Sequence, residues 1–166
     1  MIMSELATLL AERDIRAAMA RYCRGIDRLD EDLIRSAFHR DSYDNHGLYQ
    51  GGGYEFAAWV VPMLRQVYVS TTHLLGNSHI ELAGATAAVE TYFIAYHVVA
   101  QPRQMHVLSG RYADRFECRD GEWKVAHRTV LLDWDEIRPV DQQFPEQVRA
   151  TFALGRRDRD DLSYQL

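Results

Sequence analysis

Residues 70–134 read STTHLLGNSHIELAGATAAVETYFIAYHVVAQPRQMHVLSGRYADRFECRDGEWKVAHRTVLLDW, and the punctuation of this stretch decides the fold. Long runs of β-branched and aromatic residues are separated by short turn signals at AGAT (83–86), QPRQ (101–104) and Asp120-Gly121. That pattern predicts four long strands joined as an antiparallel meander, with Asp-Gly the strongest hairpin signal. Gly76 and Gly110 fall inside strands, where a glycine often marks a bulge that increases curvature.

The residues before Ser70 read as helices. Ser4 is placed to cap a first helix running to about Gly25, and Ile15, Met19, Tyr22 and Ile26 recur at the spacing of a buried helix face. Asp30 is placed to cap a short second helix, EDLIRSAF. DSYDNHGLYQGGG (41–53) is turn-rich, with one short strand expected around Tyr43 to His46. A third helix, YEFAAWVVPMLRQVY, follows, and Pro62 is expected to bend or break it. After the strands, a final helix is expected from about Pro145 to Leu154. Residues 154–166 carry many charges and are expected to be solvated and frayed, or to pack on a neighbouring subunit.

Helices first and strands afterwards give an α+β class, one domain over 1–166. The expected architecture is a cone-shaped α+β barrel, N-terminal helices packed on a strongly curved, mostly antiparallel sheet that encloses a pocket.

Composition narrows the function. With 166 residues, 47% apolar and 26% charged, the chain is an ordinary globular protein able to bury a core. A net charge of −5 without clustered Lys and Arg argues against a nucleic-acid partner. Cys23 and Cys118 lack CxxC spacing and read as reduced, in keeping with a cytoplasmic protein. The opening MIMSELATLLAERD reads as a helix start, not a signal peptide, and no apolar run is long enough to span a bilayer. The seven histidines show no HExxH spacing, and His73 and His79 would lie about 20 Å apart on a strand, so no metal is expected. Gly51–Gly53 lacks the setting of a phosphate loop and reads as a turn. No cofactor is expected.

Asp27 raises the chemical question. It falls near the end of the first helix, where a carboxylate meets the negative end of the dipole at a cost of about 0.3–1 kcal/mol. Strand alternation places Thr71, His73, Leu75, Asn77 and His79 on one face unless Gly76 shifts the register. If that face looks into the cavity, Asp27 from the helix end meets His73 there. A carboxylate beside an imidazole fixes its tautomer and stabilises its charged form, which suits proton transfer at neutral pH. The bland alternative for Asp27 is a local turn carboxylate, and for His73 a structural histidine.

The ordered set RYCRGIDRLDEDLIRSAF, THLLGNSHIEL, YFIAYH and SGRYADRFECRDGEWKVAHRTV resembles the SnoaL-like branch of the nuclear-transport-factor-like cone fold, over roughly Ile15 to Asp135. Relatives include scytalone dehydratase, hexachlorocyclohexane dehydrochlorinase, bile-acid dehydratases, polyketide cyclases and ketosteroid isomerases. The resemblance implies an Asp–His dyad at Asp27 and His73, a tyrosine at the reacting group at Tyr22, and a last-strand arginine at Arg128. It also implies pocket roles for His97, which resembles a second pocket histidine, and for His46, which stands near a position held by a tyrosine in scytalone dehydratase. Read from the residues alone, Tyr22 serves equally as a core residue, and Arg128 as an ion-pair partner of Asp114 or Asp133. His39, His106 and His127 read as structural or surface residues.

Two readings follow. The favoured one is a cofactor-independent lyase, dehydratase-like, or an isomerase acting on a hydrophobic and cyclic small molecule, with His73 as base, Asp27 orienting it, and Tyr22 or Arg128 binding an oxygen. Trp59, Met63, Leu75, Phe93, Leu132 and Trp134, together with Asn77, His46 and His97, are the expected substrate-binding wall. The other reading is a binding or assembly module, such as the structural small subunit of a ring-hydroxylating oxygenase. By analogy with relatives, a homo-oligomer is expected, a trimer or a dimer.

Overall fold

A computed structural model describes residues 4–140 and 143–166. Helix α1 spans Glu5–Arg28, and the Ser4 side chain accepts a hydrogen bond from the Ala7 N–H at its start. Its buried stripe includes Ile15, Met19, Tyr22 and Ile26. Leu29 turns the chain in the left-handed region (φ 54°), and Asp30 then caps α2, Glu31–Ser36, accepting from the Leu33 N–H. The two helices meet at Gly25, where a Cβ would stand 2.7 Å from the Ile34 backbone nitrogen. Only a glycine lets the second helix turn back this closely.

Strand β1 (Phe38–Asn45) and the short β2 (Gln50–Gly52) precede α3, Gly53–Val67. The long strands are β3 (Ser70–Ala83), β4 (Thr86–Val99), β5 (Gln104–Arg119) and β6 (Glu122–Pro139). They form one six-stranded sheet in the order β2-β1-β6-β5-β4-β3, antiparallel except where β1 runs parallel to β6. The sheet is curved and unclosed. The helices cover one face, and the core of Ile15, Met19, Phe56, Val60, Leu64, Val89, Phe116 and Val125 lies between them.

Asp120 and Gly121 both have positive φ (53° and 80°), the backbone of a tight two-residue hairpin. Both mid-strand glycines coincide with register shifts: β3 slips against β4 between Leu75 and Ser78, and β5 slips against β6 between Ser109 and Gly110. At Gly110 a Cβ would stand within 2.2 Å of the Leu131 carbonyl oxygen, so the bulge requires glycine.

Several boundaries differ from expectation. α3 continues through Pro62 without a break. β1 is twice the expected length because it finds a partner in β6, and β6 runs past Trp134 to Pro139 because β5 supplies partners as far as Gln104. The final helix is one turn, α4, Glu146–Arg149. The C-terminal segment, expected to fray or to cover a neighbour, straps the chain's own helices. Arg28 pairs with Asp161 at 3.1 Å, and Arg24 donates to the Ser163 carbonyl. Tyr164 and Arg159 both donate to Asp30, at 2.8 and 3.0 Å. Arg157 donates to the Tyr68 carbonyl at 2.6 Å.

Candidate active site

Asp27 sits in the last turn of α1 and reaches across to β3. One carboxylate oxygen accepts the His73 backbone N–H at 2.9 Å, and the other lies 2.7 Å from His73 Nδ1. Both side chains are largely covered, 14% and 8% exposed. These two hydrogen bonds offset the unfavourable position at the helix end, since a bond to a charged group is worth about 1.5–3 kcal/mol. They also set the ring: with Asp27 accepting at Nδ1, a neutral His73 keeps its lone pair at Nε2.

His73 lines a cavity of about 420 Å³ between the helices and the sheet. Its walls are mostly apolar, with Trp59, Met63, Phe93 and Leu132 among them. The polar groups converging on it are Tyr22, His46, His73, His97, Tyr68 and Tyr112. A pocket of this size and character suits a small hydrophobic ligand held by a few fixed polar atoms.

His97 packs edge-on against His73, ring centroids 5.4 Å apart, and beside Tyr68 at 4.8 Å. Burial, reinforced by the neighbouring His73, pushes its pKa down to about 3, so it is neutral at working pH. On the opposite wall, His46 Nδ1 lies 2.8 Å from Asp44 and its Nε2 lies 3.2 Å from the Tyr22 hydroxyl. Burial raises the Tyr22 pKa well above its ordinary value and keeps it a phenol, a hydrogen-bond donor.

Of the expected residues, Tyr22, His46, Trp59, Met63, His73, Phe93, His97 and Leu132 line the cavity. Asp27 stands behind His73, in a shallow depression on the other side. Four others lie elsewhere. Asn77 is exposed and faces outward because the bulge at Gly76 reverses the alternation, so that Ser78, Ile80 and Leu82 face inward instead. Trp134 is turned out by the same effect at Gly110: Asp133 is the extra residue, and Trp134 pairs with Ser109 on the outer face. Leu75 points inward but packs on the core beside the cavity.

Arg128 is fully buried and does not reach the cavity. It lies across from Asp114 in the β5–β6 ladder and grips that carboxylate through Nε and Nη2, at 2.8 and 2.7 Å. Its guanidinium sits 4.3 Å from the Tyr22 ring and 4.4 Å from the Tyr112 ring. The contacts with Asp114 hold it charged despite the opposing effect of burial. Of the two ion-pair partners read from sequence, Asp114 takes Arg128, and Asp133 takes Arg111.

Tyr68, Tyr112 and Asp44 are the polar groups that sequence reasoning missed. Tyr112 was legible as the inward member of Gly110, Tyr112, Asp114 and Phe116, which alternate along β5. Asp44 falls in the short strand expected around Tyr43 to His46, and its inward direction follows only from the full length of β1. Among the described residues, no three His, Cys, Asp or Glu side chains gather as a metal-holding group, and no helix is long and apolar enough to cross a membrane.

The family model described as the SnoaL-like domain matches residues 7–129, most of the chain. This chain belongs to the SnoaL-like family. Among solved structures, the SnoaL-like fold here is similar to a type 2 hexachlorocyclohexane dehydrochlorinase, LinA, with TM-score 0.78 and 19% identity over 86% of this chain and 99% of that one. It is also similar to a candidate scytalone dehydratase from Novosphingobium aromaticivorans (TM-score 0.71, 19% identity, 82% of this chain and 97% of that one). A third neighbour is the β subunit of a candidate aromatic-ring-hydroxylating dioxygenase from the same organism (TM-score 0.64, 19% identity, 76% and 92%). At these identities the likeness establishes the cone fold. Among curated proteins no sequence match was found.

Proposed function

We propose that the chain is a cofactor-independent lyase that removes water from a hydrophobic, cyclic hydroxy-carbonyl compound, with His73 as the general base. The observation that carries this reading is the Asp27–His73 pair set into the wall of an apolar cavity. An assembly subunit gains nothing from desolvating a carboxylate and an imidazole together, whereas a proton-transfer site requires it. Solved neighbours of the same fold include a dehydrochlorinase and a candidate dehydratase, both names for elimination chemistry.

In the proposed reaction, His73 Nε2 takes a proton from the carbon beside the carbonyl. Asp27 holds the ring at Nδ1 and stabilises the imidazolium that forms. The electron pair of the C–H bond becomes the new double bond, and the hydroxyl group leaves from the next carbon as water. Tyr22 hydrogen-bonds a substrate oxygen, and Trp59, Met63 and Phe93 bind the ring.

The test uses 3-hydroxy-1-tetralone, whose dehydration gives 1-naphthol and is followed by absorbance. Wild-type chain is expected to turn it over, and His73→Ala to slow it by about 10²–10⁴ while circular dichroism and 1-naphthol binding are retained. Equal rates in the two proteins would sink the assignment of the base, and no turnover by the wild type would sink the dehydratase reading.

A further inference from the structure

We propose that Asp44, His46 and Tyr22 form a second proton-carrying chain on the cavity wall, which protonates the departing oxygen while His73 takes the proton from carbon. This rests on the lyase reading above and adds to it a division of labour: base and acid are separate imidazoles, not one imidazole acting twice.

The geometry is that of an ordered chain. Asp44, in β1, is wholly buried, and its Oδ1 lies 2.8 Å from His46 Nδ1. The His46 backbone N–H donates to the Tyr49 carbonyl at 2.8 Å, and its ring stacks on Phe56 with centroids 4.4 Å apart, so the imidazole is held from two sides. The far ring nitrogen, Nε2, lies 3.2 Å from the Tyr22 hydroxyl. Tyr22 is in turn fixed beneath the Arg128 guanidinium and edge-on to Tyr112. Both Tyr22 and His46 line the same cavity as His73.

Two further facts separate this from a structural pair. The second oxygen of Asp44, Oδ2, is buried and has no hydrogen-bond partner among the described residues. A carboxylate kept only for packing is normally satisfied at both oxygens; here its one partner is an imidazole that can carry the compensating charge. His46 is also not sealed: its side chain is 22% exposed, beside Leu48 at the cavity mouth, so it can regain a proton from water.

His73 Nε2 removes the carbon-bound proton, the C–H pair forms the double bond, and the C–O bond breaks with its pair remaining on oxygen. That oxygen takes the Tyr22 proton and leaves as water. Tyr22 is reprotonated by the Nε2–H of a protonated His46, and Asp44 remains a carboxylate throughout. One proton has moved from His46 to His73, and exchange with solvent restores both. Tyr22 is thus the group that touches substrate, and His46 and Asp44 act through it.

Among the described residues, the charged and titratable groups around His46 are Asp44 at the end of β1, Tyr22 from α1, and Tyr112 and Asp114 from β5, with Arg128 of β6 beyond them over the Tyr22 ring. The side chain that α3 stacks on it is the apolar Phe56.

Two reactions distinguish the second chain from the base. Deuterium exchange at C2 of 1-tetralone has no leaving group and calls on His73; dehydration of 3-hydroxy-1-tetralone calls on both. His73→Ala is expected to suppress both reactions. His46→Gln and Tyr22→Phe are expected to slow dehydration at least tenfold more than they slow exchange. Equal losses in the two reactions would overturn the second chain and leave His73 in place. If His73→Ala keeps full exchange, or the wild type acts on neither ketone, the lyase reading fails instead. Nitrogen-15 spectra of the histidines then decide the chain on their own: a His46 that carries a proton at Nδ1, with an Nε2 signal that shifts in Tyr22→Phe, upholds it. A His46 without a proton at Nδ1 overturns it.

Discussion

His97 ties the cavity to pH. Its ring is buried between Tyr68 and His73, and its pKa is depressed to about 3, mainly by burial. The unfolded chain would protonate this histidine near 6.5, so below that pH the unfolded state binds a proton the folded state refuses. Stability is therefore expected to fall on acidification from pH 6.5 toward 3, by up to about 1.4 kcal/mol per pH unit from this group, or roughly 2 kcal/mol by pH 5. Urea titrations between pH 7 and 5 should show a shallower decline in His97→Gln; parallel curves for the two proteins would mean that His97 is not the cause. At this scale the sequence was readable where a residue conflicted with its own element. Asp27 at the wrong end of a helix demanded a partner, and alternation pointed to His73. Arg128 offered no such conflict. Nothing local to it distinguishes a guanidinium aimed at a ligand from one closed by Asp114, because the choice depends on the pairing of two strands.

Elements were legible to the extent that their cause was local. Caps at Ser4 and Asp30, the Asp120-Gly121 turn and the strand alternation all stand where local chemistry puts them. Non-local pairing is what escaped: β1 owes its length to β6, and although Gly76 and Gly110 mark the bulges in the sequence, the faces on which these leave Asn77 and Trp134 are set by the partner strand. The one-turn α4 shows the reverse case, a segment with helical sequence but no buried residue to stabilise it. The C-terminal strap is the largest such surprise, since the same charges that suggest a solvated tail serve to close Asp30, Arg28 and the end of α3. Deleting residues 156–166 is therefore expected to lower the melting temperature by about 5–10 °C and to speed amide exchange between Ile26 and Leu33. Unchanged exchange there would show the strap to be detached in solution.

Among the described residues, the whole molecule presents a sheet with helices on one face and no element packed on the other. Register puts Leu74, Tyr92 and Trp134 on that uncovered face, with exposures of 54%, 43% and 49%. Large apolar side chains grouped on three strands are unusual on a monomer's surface and mark a place where something binds. Arg111 lies among them and pairs with both Asp133 and Glu90, so that cation is neutralised and the trio keeps a single negative charge in excess. A second copy of the chain fits these features, in keeping with the trimer or dimer expected from sequence. Sedimentation equilibrium at micromolar concentration should thus give two or three times the 19.2 kDa of the chain. Trp134→Glu combined with Leu74→Glu should return it to the single mass, because each puts a charge where the partner would have to desolvate it. The cavity mouth bears on the same experiment. Leu48 there is 92% exposed and Leu132, on β6, is half-exposed while lining the cavity. If assembly also closes the mouth, the monomeric double variant loses dehydration activity out of proportion to its stability. If it keeps full activity, the cavity is complete within one chain and the outer face serves assembly alone. A wild type that sediments as a single chain at these concentrations would remove the oligomer altogether.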